Sequence, residues 1–302
     1  MKLIKACRVY AAELPPVNEL EPILGASKFT ELTELQGDDY GFVPLLNDRY
    51  VLDFGCGFAF KLRYDQKILP TSVIKSQTDK RVAEIEATED RKVPAKERQA
   101  VKNDVIFTLL PKAFAKENTV TCFYWKKDNL LIVPTASAKL ADITISALIR
   151  AVGSIKTHTI HVDGIKQSLT SKLKTFLETE VGIMQFDFDS TVKLKAEEGR
   201  VTTIKGVDLA EAKEGILEAI AQGSSVAELG LSTSTMFFRL SHDFVIRGVS
   251  FFGEDEPDEF DDEVDAFKHH ASLQTIMMSD SILKLMDLFE YKSPEDEGQT
   301  VG

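Results

Sequence analysis

Between Lys67 and Lys116 the chain concentrates side chains suited to holding a polyanion. The stretch carries eleven lysines and arginines against seven acids, in a 302-residue chain whose formal net charge is -12. Lys67, Lys75, Arg91, Lys92, Lys96, Arg98, Lys102, Lys112 and Lys116 are the candidate phosphate contacts. Lys and Arg that neutralise phosphates release condensed counterions, so binding by such a patch is strong, salt dependent and blind to sequence. A solvated helix face of mixed charge would show the same composition. Other residue sets point to weaker chemistry. Asp187-Phe-Asp189 with Lys193 loosely resembles a metal-dependent nuclease cluster, although alternating acids at a strand end are more often a polar edge. His158 with His161, and His269 with His270, lack the spacings of a metal site. No Gly-x-Ser-x-Gly elbow or P-loop is present, and Gly55-Cys-Gly-Phe lacks the third glycine of a dinucleotide fingerprint. No catalytic residue, metal site or cofactor is therefore expected.

Charge is unevenly spread. The last fifty residues hold fifteen acids and three lysines, so the rest of the chain is neutral and the low pI belongs to the C-terminal region. The acidic run from Glu254 to Asp265 lacks EF-hand spacing and reads as a solubilising or DNA-repelling surface. Cys7, Cys56 and Cys122 lie far apart in apolar stretches, as reduced thiols in a cytoplasmic protein would. No run of about 18 apolar residues marks a membrane span, and the charged N-terminal segment lacks a signal-peptide core.

The elements that would position the basic stretch read as follows. A strand at the N-terminus ends at Pro15-Pro16, and a short helix covers Asn18 to Leu24. Apolar residues at period two, Leu52 through Leu62, predict one long strand from Tyr50 to Tyr64. Gly55 and Gly57 mark a bend or a close approach on it. Two helices follow, at about 72–88 and from Pro94 to about Leu110. Their apolar positions, Val101, Val105 and Leu109, come late, so the outer part of this hairpin should project from the body. Strands at 119–125 and 130–134 flank a turn, and Ser137 caps a helix closed by Gly153. Beyond Ile155, strands are expected at 182–188, 191–195, 201–204, 226–231, 235–240 and 244–250. Helices are expected there at 167–178, 209–221, 259–273 and 281–289. The fold class is α+β: a mixed-sheet domain (1–70 and 117–155), an inserted projecting helical hairpin (71–116), and a second α+β domain (156–292). A disordered tail is expected over 293–302.

Three motifs carry a family resemblance. They are Lys67-Ile-Leu-Pro-Thr-Ser-Val-Ile-Lys75, Leu109-Leu-Pro-Lys-Ala-Phe114, and Ala136-Ser-Ala-Lys139 with its helix ending in Gly153-Ser-Ile155. In order and at this spacing they resemble the RdgC family of bacterial recombination-associated proteins, over nearly the whole chain. The segment Val201, Lys205, Asp208-Leu209 also aligns, within a more diverged second half. The resemblance implies a ring-shaped homodimer that encircles double-stranded DNA without sequence preference, associates with the nucleoid, restrains RecA-driven strand exchange and has no enzymatic activity. It implies that Arg91 and Lys92 form a basic pair on the hairpin, and that Phe114, with Lys112 beside it in place of arginine, closes one subunit contact. The second domain, retaining Lys205, would make the other contact. There the family's basic residue and glutamine are replaced by Gly206-Val207. The alternative is an interaction protein that inhibits the recombinase through its acidic C-terminal region, with DNA binding secondary.

Overall fold

The structure, a computed structural model, describes residues 2–160, 165–180, 185–253, 260 and 262–291. The tail at 293–302, His161 and most of the acidic run at 254–265 lie outside the described residues. Among those described, twelve strands join one sheet and seven α-helices pack around it.

The first half contributes β1 (Ala6–Ala11), β2 (Asp38–Val43), β3 (Val51–Asp53), β4 (Gly57–Lys67), β5 (Ala115–Trp125) and β6 (Leu130–Val133). The second contributes β7 (His158–Thr159), β8 (Asp187–Lys195), β9 (Val201–Lys205), β10 (Ser225–Ser232), β11 (Met236–Ser241) and β12 (Ile246–Phe251). The order across the sheet is β2-β4-β5-β6-β1-β12-β11-β10-β8-β9, with β3 added on β4 and β7 on β1. The expected mixed sheet is corrected: every strand ladder is antiparallel, and the parallel contact Lys28–Phe42 is an isolated bridge. Tight hairpins explain part of this. Where helices intervene between β4 and β5 they come as a pair, which returns the chain to the end of the sheet it left.

β1 is shared by both halves, pairing β6 on one side and β12 on the other. One face of the sheet packs on α7 (Glu263–Leu288), which contributes Phe267, Ala271, Met278, Ile282 and Leu285 to a core with Cys7, Val9, Phe123, Ile132 and Ile246. The same core takes in α5 (Ile165–Thr179) and α6 (Leu209–Ala221). In the first half, the opposite face packs on α1 (Val17–Ala26) and α4 (Ala138–Val152) through Leu20, Leu24, Ala147 and Leu148 against Phe58, Phe60, Leu62 and Tyr124.

Three expectations fail locally. The single strand at 50–64 is two strands, β3 and β4, paired as a hairpin. The Asp53 carboxylate accepts the Gly55 N–H at 2.7 Å, Gly55 adopts φ +90°, and Phe54 N–H donates to the Gly57 carbonyl at 3.0 Å. Period two runs straight through this turn because apolar residues sit on both arms. Gly57 is a close approach: a Cβ there would lie 2.2 Å from the Tyr124 carbonyl oxygen. The helices expected at 259–273 and 281–289 are one continuous α7 from Glu263 to Leu288. The gap expected over 274–280 is helical, and its polar Gln274, Thr275 and Ser279 are buried within the helix. Likewise, the strands expected at 182–188 and 191–195 are joined in a single β8, with 182–184 lying outside the described residues.

Candidate nucleic-acid interface

The basic stretch forms α2 (Thr71–Glu89) and α3 (Ala95–Leu109), packed on each other, with a 3-10 turn at Leu110–Lys112 leading into β5. Pro70 and Pro94 stand just before each helix, and Asp90 ends α2 in the left-handed region at φ 50°. The buried residues are few: Thr78 and Val82 on α2, Val101 and Val105 on α3. Polar clasps do the rest. Glu86 Oε1 accepts the Val93 N–H at 2.9 Å, and Arg98 pairs with Asp79 across the helices. Arg91 forms a bidentate pair with Glu97 at 2.6 and 2.7 Å and also contacts Glu89. The guanidinium of Arg91 holds the Glu97 carboxyl below the usual range, mainly through this hydrogen bonding.

The expected phosphate contacts separate into three kinds. Lys75, Lys92, Lys96, Lys102, Lys112 and Lys116 are exposed, and their ammonium groups have no ion-pair partner among the described residues. Arg91 and Arg98 are exposed but engaged with acids of their own helix pair. Lys67 is half-buried, and its ammonium donates to the Leu110 carbonyl at 2.9 Å and to the Glu34 carbonyl. Lys67 thus fastens the root of the helix pair. Lys80 and Arg81 also face solvent on α2 beside Gln77, Glu84 and Thr108. The mid-helix Lys80-Arg81 dipeptide is the sequence signal for these two.

Phe114 is 84% exposed at the end of the 3-10 turn, although an aromatic after a helix end is ordinarily core. Its carbonyl accepts the Ile68 N–H at 2.8 Å, which brings a second exposed apolar side chain, Ile68, close by. At the far end of the sheet, Lys205 is exposed at the end of β9, and Gly206, at φ 72°, donates its N–H to the Ser190 carbonyl at 3.1 Å. Among the described residues β9 pairs β8 on one side only, with Val201 and Val207 exposed at its two ends. Helix pair and β9 thus lie in different parts of the fold.

The remaining candidates are placed as follows. Cys7 and Cys122 are buried and Cys56 half-buried, all free thiols. Burial alone pushes the Cys7 thiol up to about 12 and the Cys122 thiol higher still. Asp189 lies beside Thr191 on one side of β8, and among the described residues no three His, Cys, Asp or Glu side chains converge on a possible metal position. No helix among those described is long and apolar enough to cross a membrane.

Comparison with known proteins bears on the whole of this arrangement. The family model described as "Putative exonuclease, RdgC" matches residues 3–292. A Neisseria meningitidis serogroup C protein is 25% identical over 285 residues, covering 92% of this chain and 93% of its own. Proteins of Actinobacillus pleuropneumoniae serotype 7 and Shewanella sediminis are 30% and 31% identical over 192 residues. Those two alignments span 63% and 62% of the relatives' own lengths. All three relatives bear the name "Recombination-associated protein RdgC". With a match over nearly its full length, the chain belongs to the RdgC family.

Proposed function

We propose that this protein binds double-stranded DNA without sequence preference, as a ring-shaped homodimer, and so limits access of the RecA recombinase to the duplex at the nucleoid. The observation that carries the reading is the set of exposed lysines on and beside the helix pair, without ion-pair partners among the described residues, in a protein whose acids lie mainly elsewhere. Such a surface supplies phosphate contacts and offers no reading of base edges. The relatives' name ties it to recombination. The exposure of Phe114 and the one-sided β9 edge near Lys205 support two self-contacts, as closure of a ring by two copies requires.

The test is duplex binding across a salt series, with unrelated sequences, on linear and closed circular DNA. Affinities should agree within a few-fold between sequences and fall steeply with salt. Retention on circular DNA through a high-salt wash that strips linear DNA would follow from encirclement. Sequence-selective or salt-insensitive binding would overturn the reading.

A further inference from the structure

The sheet has a second basic surface that the helix pair does not include. Residues directly opposite each other in an antiparallel ladder point to the same side, so the side can be followed strand by strand. Lys205 lies opposite Thr191, Thr203 opposite Lys193, and Lys193 opposite Glu228. Glu228 lies opposite Ser241, Arg239 opposite Arg247, and Arg247 opposite Ala6, two residues from Arg8. This is the side of Tyr10, which in the first half packs beneath α1 and α4. In the second half α5, α6 and α7 lie on the other side, with Val192, Leu194 and Leu240.

The open side carries Arg8, Lys193, Lys195, Lys205, Arg239 and Arg247 against the carboxylates of Asp187, Asp189, Glu228 and the neighbouring Asp243. Its arginines are held in place. The Glu228 carboxylate accepts from Arg239 at 2.9 Å and lies 3.7 Å from Arg247. Arg239 lies flat over Gly248, where a Cβ would come within 2.9 Å of Nε. Both arginine side chains keep about a third of their surface exposed, at 36% and 35%. Lys193 and Lys195 have no ion-pair partner among the described residues, and they border a shallow trough of about 580 Å³ shared with Arg247 and His242. From β9 to β12 the face spans four strand spacings, roughly 19 Å at about 4.8 Å each. Phosphates of one DNA strand recur every 3.4 Å of helix axis, so a backbone crossing this face would meet several cations.

We infer that the open face of β8–β12 is a second phosphate-contact surface, seating the backbone of the same duplex through the unpaired Lys193 and Lys195, with Arg239 and Arg247, which share the single Glu228 carboxylate, adding net positive charge beside them. This deepens the proposed function and rests on it. Unlike the helix pair, it is part of the rigid sheet, so its contacts need no ordering of a slender element.

The test uses the full chain and duplexes of about 30 base pairs with unrelated sequences. The pair Lys193→Gln with Lys195→Gln is compared with Lys172→Gln and Lys213→Gln on α5 and α6, on the other side of the same sheet, where Lys172 lies over the Phe289 ring. Removing two phosphate contacts should lower the slope of log Kobs against log salt by about 1.8 for each copy of the face engaged, a roughly thirtyfold weakening at 0.15 M salt. The α5/α6 pair should leave the slope where the wild type has it. If the wild type binds steeply and both pairs behave alike, the inference is overturned while the proposed function stands, as it would be were the face a site for an acidic protein instead. A wild type that binds no duplex overturns both. Should the double variant lose its native circular dichroism, Lys195→Gln alone, at an exposed position, should lower the slope by about 0.9, and an unchanged slope overturns the inference.

Discussion

Phe114 and Gly57 show how differently single residues act in this protein. Phe114 contributes little to the folded chain because most of its ring stays in water. Its replacement by alanine should leave the melting temperature nearly unchanged, within about 0.5 kcal/mol of stability, while shifting sedimentation toward the monomer. An unchanged mass distribution would remove it from the self-contact. Gly57 is the opposite case. A methyl group there meets the Tyr124 backbone and the Phe54 ring, neither of which can yield without disturbing the β4–β5 ladder. Gly57→Ala should destabilise by roughly 2–4 kcal/mol, read by urea unfolding. The thiols offer a third check. A group whose pKa is raised stays protonated, and the thiolate is the reactive form. At pH 8 Cys56 should react with a maleimide in the native protein, while Cys7 and Cys122 should react only after unfolding. That glycine-rich positions matter was legible from the sequence. That Phe114 faces solvent was not, because exposure of one ring depends on where the helix pair leaves the sheet.

Among the elements, the helix pair is stabilised by four buried side chains and a set of ion pairs, so its charges can be altered with little risk to the core. Lys92→Gln with Lys96→Gln should reduce the salt slope of DNA binding by about 1.8, with an unchanged circular dichroism spectrum. An unchanged slope would take the tip out of the interface. Arg91 should behave differently, because it is committed to Glu97 and Glu89. The sequence revealed α6 to the residue, and α2, α3 and α4 within one or two, because caps, prolines and apolar spacing agree there. It failed where local and tertiary signals conflict. In α7, buried polar residues in mid-helix look like a break, and only packing against the sheet keeps the helix continuous. The ion pairs that remove Arg91 and Arg98 from the pool of free cations were equally hidden, since they join residues up to nineteen positions apart. α7 also holds the first strand. Gln274 Oε1 accepts the backbone N–H groups of Leu3 and Ile4 at 3.0 and 3.1 Å. Gln274→Leu would leave both donors unsatisfied and should cost about 2–6 kcal/mol, at 1–3 for each group.

For the molecule as a whole, one sheet runs through both halves, and α7 from the second half packs on strands of the first, with Phe267 stacked on Phe123. The sequence places a second unit after about Ile155, yet β1 links the two, pairing β12 through Ala6 and Cys7 and β6 through Arg8 to Ala11. Pairing between the first strand and the last is a long-range contact that no local pattern announces. Heat unfolding should therefore be a single transition in calorimetry; two resolved transitions would mean that the halves are energetically separate. The position of β1 has a consequence for synthesis. It is made first, but its neighbour β12 follows some 235 residues later, and the helix that covers its apolar face comes later still. At translation speeds of about 5–20 residues per second, that delay lasts roughly 10–50 s. Throughout it, the nascent chain presents an unpaired strand edge and the apolar side chains of Ile4, Cys7 and Val9. A fragment ending before β12 would keep that exposure permanently. Truncated or stalled products of this chain are therefore natural clients for a ribosome-bound chaperone, even though the finished molecule closes the same edge completely.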